Sequence, residues 1–373
     1  MNEPHVLIDA SNLRTGGGVQ VAASFVDELA KLETDPSIRG AYPWIQGITI
    51  TVSSCVAAAL HEPTSGLRVV VSDRYPLNRT HWAVRPKYDL AFTIFGPLYR
   101  PKLGRVQVVG FADGTSLFTL PPESTPTHLR GKIAHAMRKS VSKKLFRAAD
   151  HIVVEADHVR DALVGKWGIE GSRIDVVPNC VNGIFSQPVR RAEETSRWCY
   201  VTRAYAHKNV DFLGKVGEEL EKRGVQDVKF VLTLTPEEWR TLRPETRQHA
   251  VNLGPVGLHE LPDVYASCEG AVFPSLLESF SVTPLEAMCT STPLIASNRP
   301  FVRDICGEGA IYEDPRDASA WAEAIIEVRT NPQVRLSLKR RAASISHALP
   351  GPRQRALNYL DIIDKNLRHL ADR

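Results

Sequence analysis

The chain has 373 residues, 43% of them hydrophobic and 24% charged, with a formal net charge of +4; this is ordinary for a globular protein and long enough for two domains, each with its own core. No run of about 18 apolar residues occurs, which argues against a membrane-spanning helix, and the mild charge with no nucleic-acid-binding motif gives no ground for RNA or DNA as a partner. The six cysteines (Cys55, Cys180, Cys199, Cys268, Cys289 and Cys306) form no C-x-x-C pair and have no histidine at metal-ligand spacing, so reduced thiols in a cytoplasm are expected, and the polar start MNEPHVLIDAS is not expected to be a secretory signal.

In chain order, Val6 to Asp9 reads as a short buried strand, followed by Gly16-Gly17-Gly18 and then Val19, Ala22, Ala23, Val26, Leu29 and Ala30 at helical spacing. Strand, glycine loop and helix make a Rossmann-type start. The spacing G-x-G-x-x-G is absent, which disfavours a dinucleotide. The loop is either a plain turn or one whose backbone approaches a phosphate or sugar. Further strands are predicted at Ile48–Val52, Leu67–Val71, Leu90–Phe95 and Val106–Phe111, and alternation with helical stretches argues for a parallel, doubly wound sheet. Ligands gather at the carboxyl ends of such strands. Asp113-Gly114 stands at one of these ends, as a turn pair or as a carboxylate for a sugar hydroxyl.

From Ser124 to Ala149 the chain carries Arg130, Lys132, Arg138, Lys139, Lys143, Lys144 and Arg147 and no acidic residue. Ile133, Met137, Val141, Leu145 and Ala148 form an apolar stripe at helical spacing. Two readings fit: a core helix with a solvated basic outer face, or a helix that docks on anionic lipid headgroups or on the pyrophosphate of a lipid-linked acceptor. A strand at Asp150–Glu155, a helix at Ala156–Lys166 and a strand at Ile174–Val177 follow. Gln187 to Ser196 has linker composition and places the domain boundary.

The second half opens with a strand at Trp198–Val201, then Arg203, His207-Lys208-Asn209 and a helix from Val210. Two cations near a positive helix end are unfavourable unless an anion sits between them. Strands at Phe230–Leu234 and Asn252–Val256 and a helix at Glu260–Ala266 come next. Then comes FPSLLESFSVTPLEAMCTSTPLIASN, Phe273 to Asn298. Pro284 sits where a helix would begin, with Thr283 as N-cap, so the backbone amides of Ser279, Phe280, Ser281, Val282 and Thr283 arrive at a helix start and suit an anion. Glu278 and Glu286 flank that start. Thr283-x-x-Glu286 also reads as a capping box, worth roughly 0.5–2 kcal/mol by itself, and a carboxylate has acceptor sites enough for both roles. After Ile311 the pattern is helical: Ala318–Arg329, Pro332–Ser346 and, beyond Pro350-Gly351-Pro352, Gln354–Leu370.

A strand, then PS, then E-x7-E, then EAM and a second apolar strand resembles the donor-site signature of the retaining GT-B glycosyltransferases of family 4. The likeness covers most of the chain, including VVPNCVNGIF near the end of the first domain. The resemblance implies an α/β GT-B fold: two Rossmann-like doubly wound domains facing across a cleft. Residues 1–190 would form the acceptor-side domain, with 354–373 packing back on it, and 191–353 the donor domain. It implies that Arg203 and Lys208 hold the donor diphosphate, that Glu286 takes the ribose and Glu278 the transferred sugar or reacting face, that backbone near Val256 edges the base, and that Gly17 and Gly18 approach the donor. This sequence departs from the family at Ala112, where a histidine usually precedes Asp113; at Ser279-Phe280-Ser281, where Gly-Phe-Gly is usual; and at Thr290-Ser291, in place of a glycine turn.

The resulting expectation is a hexosyltransferase-type enzyme needing no cofactor and no metal. It would move a sugar from a nucleotide-diphosphate sugar to an acceptor hydroxyl with retention. A lipid-linked saccharide in polysaccharide or O-antigen synthesis is the expected acceptor, met in the cytoplasm at the inner face of the membrane, with 130–147 towards an anionic surface. The competing readings are a small soluble acceptor, a non-catalytic nucleotide-sugar-binding subunit, and, further off, a GT-B phosphorylase or a nucleotide-sugar epimerase.

Overall fold

The computed structural model describes residues 4–62, 64, 66–73, 87–97, 102–122, 125, 128–187, 189 and 195–372. The chain divides into two compact units, one of Met1–Leu117, His128–Cys180 and Pro350–Arg373, the other of Phe118–Thr127 and Val181–Leu349. The division falls at Cys180–Val181, ahead of the 187–196 stretch whose composition suggested a linker; of that stretch, 188 and 190–194 lie outside the described residues.

In the first unit, β1 (Val6–Ala10), β2 (Thr49–Val52), β3 (Arg68–Val71), β4 (Tyr88–Thr93), β5 (Gly104–Phe111), β6 (His151–Val154) and β7 (Ile174–Val176) form one sheet in the order β3-β2-β1-β4-β5-β6-β7. Every pairing is parallel. Strands covered on both faces need near-continuous apolar runs, and β1 and β6 are buried at every position. The glycine loop bends through Gly16 at φ 70° and ψ −159°, a conformation open to glycine and closed to other L-residues. The helix that follows, Gly17–Glu33, buries Val19, Ala22, Ala23, Val26 and Leu29 as their spacing predicts.

The last helix, Pro352–Ala371, belongs to this first unit. Tyr359 packs edge-on between Phe25 and Phe92, with ring centroids 4.9 and 5.2 Å away. One turn earlier, Arg355 is 1% exposed and donates to Asn179 Oδ1 at 2.5 Å and Ser24 Oγ at 3.0 Å. Burial pushes the Glu155 carboxyl up to about 7, against the pull of the Arg355 charge and of a bond to Asn179. A buried charge is tolerated only with such partners.

In the second unit, β8 (Arg197–Tyr200), β9 (Lys229–Leu232), β10 (Ala250–Asn252), β11 (Gly270–Phe273), β12 (Leu294–Ser297) and β13 (Ala310–Glu313) run in the order β10-β9-β8-β11-β12-β13, again all parallel. Strand order reverses between β8 and β11. Their close pairing depends on Gly270, where a Cβ would lie 2.4 Å from the buried ring of Trp198.

Three expectations need correction. The strand placed at Asn252–Val256 is instead Ala250–Asn252; Leu253 onwards is loop, turned by Gly254 at φ 80°. The chain does not become wholly helical after Ile311, because Ala310–Glu313 adds an edge strand too short to show a period. The basic helix is Leu129–Arg147, later than Ser124, which lies outside the described residues. Its apolar stripe mostly does not face a core: Ile133, Met137 and Val141 are each at least half exposed, Ala148 is exposed and Leu145 half-buried; Leu129, one turn ahead, is exposed too, and only Ser142 and Phe146 of the helix are buried.

Replacing Arg355 by Ala would leave Glu155 buried without its compensating charge. The unfolding transition of the first unit should lose about 3–5 kcal/mol, read by urea denaturation, whereas Arg355→Lys should lose less.

Candidate functional site

The ends of β8 and β11 lie side by side at the reversal of strand order, where open parallel sheets bind their ligands. The loops leaving them are stitched together. Leu276 N–H donates to His207 O at 2.7 Å, Ser275 Oγ lies 3.2 Å from the same oxygen, and Tyr200 Oη donates to Lys208 O at 3.1 Å. Asn209, at φ 56°, donates from Nδ2 to Pro274 O at 3.3 Å and to Pro315 O at 2.9 Å.

This stitching brings Lys208 and Glu278 into contact. Lys208 Nζ lies 2.6 Å from Glu278 Oε1, with the two side chains 17% and 10% exposed, and Ser275 Oγ donates to that same oxygen at 2.6 Å. The Lys208 ammonium also stands 5.8 Å from the centroid of the Phe273 ring. Lys208 lies in a 3₁₀ turn, Ala206–Lys208, and the helix expected from Val210 begins at Phe212, so the lysine precedes the helix by more than a turn. His207, stacked on Tyr205 at 5.8 Å, is held below the usual histidine range by burial and by the Lys208 charge, against the pull of Glu278.

Arg203 does not share that contact. Its Nε sits 2.9 Å from both oxygens of Glu238. The same carboxylate accepts from Ala204 N–H at 3.2 Å and Thr235 N–H at 3.0 Å, closing a capping box on the helix Pro236–Thr241. Each of the two cations therefore faces its own carboxylate.

Glu286 behaves differently from its capping-box reading. The helix runs Thr283–Cys289, so Thr283 is its first residue; Val282 precedes it in a helical conformation and no side chain caps it. An N-cap must be extended to turn its side chain inward, and neither residue is. Glu286 is buried and accepts from Tyr265 Oη at 2.9 Å. Burial pushes its carboxyl up to about 7, only partly offset by that bond. Ser281 is buried, while Ser279, Phe280, Val282 and Thr283 are half-buried around the helix start. Ser291 keeps the left-handed φ of 54° that a glycine would adopt freely. Val256 lies half-buried in its loop.

The remaining candidates belong to the first unit. Gly17 is exposed, and a Cβ there would meet nothing within 4 Å, whereas one on Gly18 would lie 3.3 Å from Leu13 Cδ2. Asp113 is heavily committed. It accepts from Thr115 Oγ1 at 2.8 Å, Ser116 N–H at 3.2 Å, Ser142 Oγ at 3.3 Å and Arg138 at 3.4 Å, and also from Ser116 Oγ. Its main work is capping the short helix Gly114–Leu117 and tying the basic helix to β5. Among the described residues, no group of three or more His, Cys, Asp or Glu side chains is placed to hold a metal ion.

Sequence reasoning missed Ser275, Tyr265 and Glu238. Of these, Ser275 stood in the quoted PS with no role read for it, and Glu238 left a legible signal in the Thr235-x-x-Glu238 pattern before an apolar-poor helix.

A sheet of order 3-2-1-4-5-6 with a lysine–glutamate pair and a buried glutamate at its switch point is one half of a two-unit α/β transferase. Residues 184–345 match the family model for glycosyl transferases group 1, and residues 15–182 match that for glycosyltransferase family 4. The two matches meet where the units divide, and the chain belongs to the GT-B glycosyltransferases. Over 196 residues it is 24% identical to the O-antigen chain mannosyltransferase RfbU of Salmonella typhimurium, covering 51% of this chain and 54% of that protein. It is 24% identical over 241 residues to a D-inositol 3-phosphate glycosyltransferase of Paenarthrobacter aurescens, covering 59% of each. The chain thus spans about half the length of the curated relatives it matches. The structure of Anabaena HepE in complex with UDP-glucose superposes with a TM-score of 0.65 at 15% identity, covering 98% of this chain and 100% of that one.

The buried acid yields a pH prediction. The Glu286 carboxyl ionises near its ordinary 4.5 when unfolded and near 7 when folded. Its contribution to stability is complete below about 4.5 and is lost as pH rises through about 7. Glu286→Gln escapes that loss. Its stability advantage over wild type should widen between about pH 5 and about pH 8 by on the order of 2 kcal/mol, read by urea denaturation at the two pH values.

Proposed function

We propose that this chain transfers a hexose from a nucleotide-diphosphate sugar to an acceptor hydroxyl with retention at the anomeric carbon. The observation that carries the reading is the Lys208–Glu278 pair at the switch point, with the buried Glu286 eight residues on. A cation held in place by a carboxylate is pre-oriented for a phosphate. A buried carboxylate with one protein donor suits a second donor, a ribose hydroxyl.

The chemistry follows from leaving-group stabilisation. The bond between the anomeric carbon and the diphosphate oxygen breaks while the acceptor oxygen bonds to that carbon on the same face. The acceptor's proton passes to a phosphate oxygen of the departing diphosphate. Negative charge grows on the diphosphate, and Lys208 and Arg203 neutralise it; Glu278 orients the sugar. HepE, of the same fold, is described with UDP-glucose, which supports a nucleotide-sugar donor. Val256 completes the donor contacts of the second unit in this reading, and Gly17 and Gly18 are the glycine-loop candidates of the first unit.

For the acceptor we favour a lipid-linked saccharide, in keeping with the O-antigen chain mannosyltransferases among the relatives. The exposed stripe of Leu129, Ile133, Met137 and Val141, on a helix with no acidic residue, supports docking on an anionic membrane, since a basic amphipathic helix lies in the headgroup plane with its apolar side down. The inositol phosphate transferases among the relatives favour a second reading, a small water-soluble acceptor.

Lys208→Ala and Arg203→Ala should each lower the rate of transfer on the order of 10²–10³, and Glu286→Ala should lower it sharply, in variants whose circular dichroism matches wild type. Wild-type rates in folded variants would refute the residue roles. A thermal-shift screen with GDP, UDP, dTDP and ADP should show one clear winner.

The chain should co-sediment with vesicles containing phosphatidylglycerol and not with phosphatidylcholine alone. Ile133→Ser with Met137→Ser should weaken that binding, and added salt should release part of it. Full transfer to a soluble acceptor, with no vesicle binding, would select the second reading.

A further inference from the structure

We infer that Glu238 is a positioning residue for the donor diphosphate, acting through Arg203. The inference rests on the transferase reading above. Glu238 grips the guanidinium only by its Nε edge, at 2.9 Å to both carboxylate oxygens. An arginine held this way is anchored at Nε, and its two terminal nitrogens are not engaged by the anchoring carboxylate. They form the fork that matches two phosphate oxygens.

Three features make Glu238 a fixed anchor rather than a passing ion-pair partner. Its side chain is 18% exposed against 44% for Arg203, so the carboxylate is the seated member of the pair. It also accepts from Ala204 N–H and Thr235 N–H, which ties it to the arginine's own loop and to the start of its own helix. Desolvation opposes its charge, yet the Thr235 amide, Arg203 and the Ala204 amide together hold its carboxyl below the ordinary value. A long, half-exposed arginine loses much rotamer freedom when it closes on a ligand. Glu238 removes part of that loss beforehand.

The arrangement has a competing physical outcome. A carboxylate beside a phosphate-binding arginine also repels the phosphate. Because the grip leaves the Nη fork open, positioning is the expected net effect, and the sign of the change on removing the charge decides.

The experiment measures UDP and GDP affinity by calorimetry, and steady-state transfer, for wild type, Arg203→Ala, Glu238→Ala, Glu238→Gln and the Arg203→Ala/Glu238→Ala double variant. Expected are about tenfold weaker nucleotide binding in Glu238→Ala, partial rescue in Glu238→Gln, which still accepts from Nε, and no further loss when Glu238→Ala is added to Arg203→Ala. Unchanged or tighter binding in Glu238→Ala overturns the inference, as do additive losses in the double variant. If Arg203→Ala itself binds and turns over like wild type, the donor-site reading fails instead. Glu238→Ala also opens the capping box, so a melting curve for each variant confirms that the losses are measured on folded protein.

Discussion

A lysine and a glutamate 2.6 Å apart, both mostly out of water, hold the candidate site together. Such a pair is stable only where its surroundings compensate the loss of hydration. Here the compensation is local: Ser275 shares the carboxylate oxygen, and main-chain bonds lock the β8 and β11 loops to each other. Those bonds exist because two parallel strands end next to one another, which in turn needs a glycine where β11 passes the Trp198 ring. The electrostatics of the site is therefore a product of strand order.

The two units solve the same problem with different means. The second covers its sheet with helices that mostly carry a proline at their first or second position. The first recruits the end of the chain, holding it by an aromatic trio and a buried arginine. In both, most functional candidates sit on loops or first helical turns after strands at or beside the reversal of strand order, with Val256, after the edge strand β10, the exception. Rigid strands set their position and short loops their chemistry.

Much of this was legible in the sequence because parallel strands and long amphipathic helices leave strong periodic marks. The strands ending at Ala10, Val52 and Phe273 and the three long C-terminal helices fall within a residue or two of their predicted places. Short elements were not legible: β13 and the helices at Pro236–Thr241, Pro244–His249 and Pro300–Cys306 are too brief to show a period. The instructive pair is Thr235-x-x-Glu238 against Thr283-x-x-Glu286. Both fit one capping pattern with proline following the threonine. In the first, Thr235 is extended at ψ 159° and caps; in the second, the chain is already helical at Val282, with ψ −21°. What separates them is the burial of Glu286 against Tyr265, a contact 21 residues away that no local pattern encodes. The stripe on the Leu129–Arg147 helix left two readings open for another reason: helical spacing shows that a face is apolar and is silent on what, if anything, covers it.

The Tyr265–Glu286 contact has a thermodynamic corollary. On the proposed donor role, a carboxyl that titrates near neutrality would gain a hydroxyl donor from the ribose and become the more acidic for it. Occupancy and deprotonation are then one linked event. On that role, nucleotide uptake at neutral pH would expel a fraction of a proton into the medium, affinity would weaken on acidification, and the heat of association would change with the ionisation enthalpy of the buffer chosen to receive that proton.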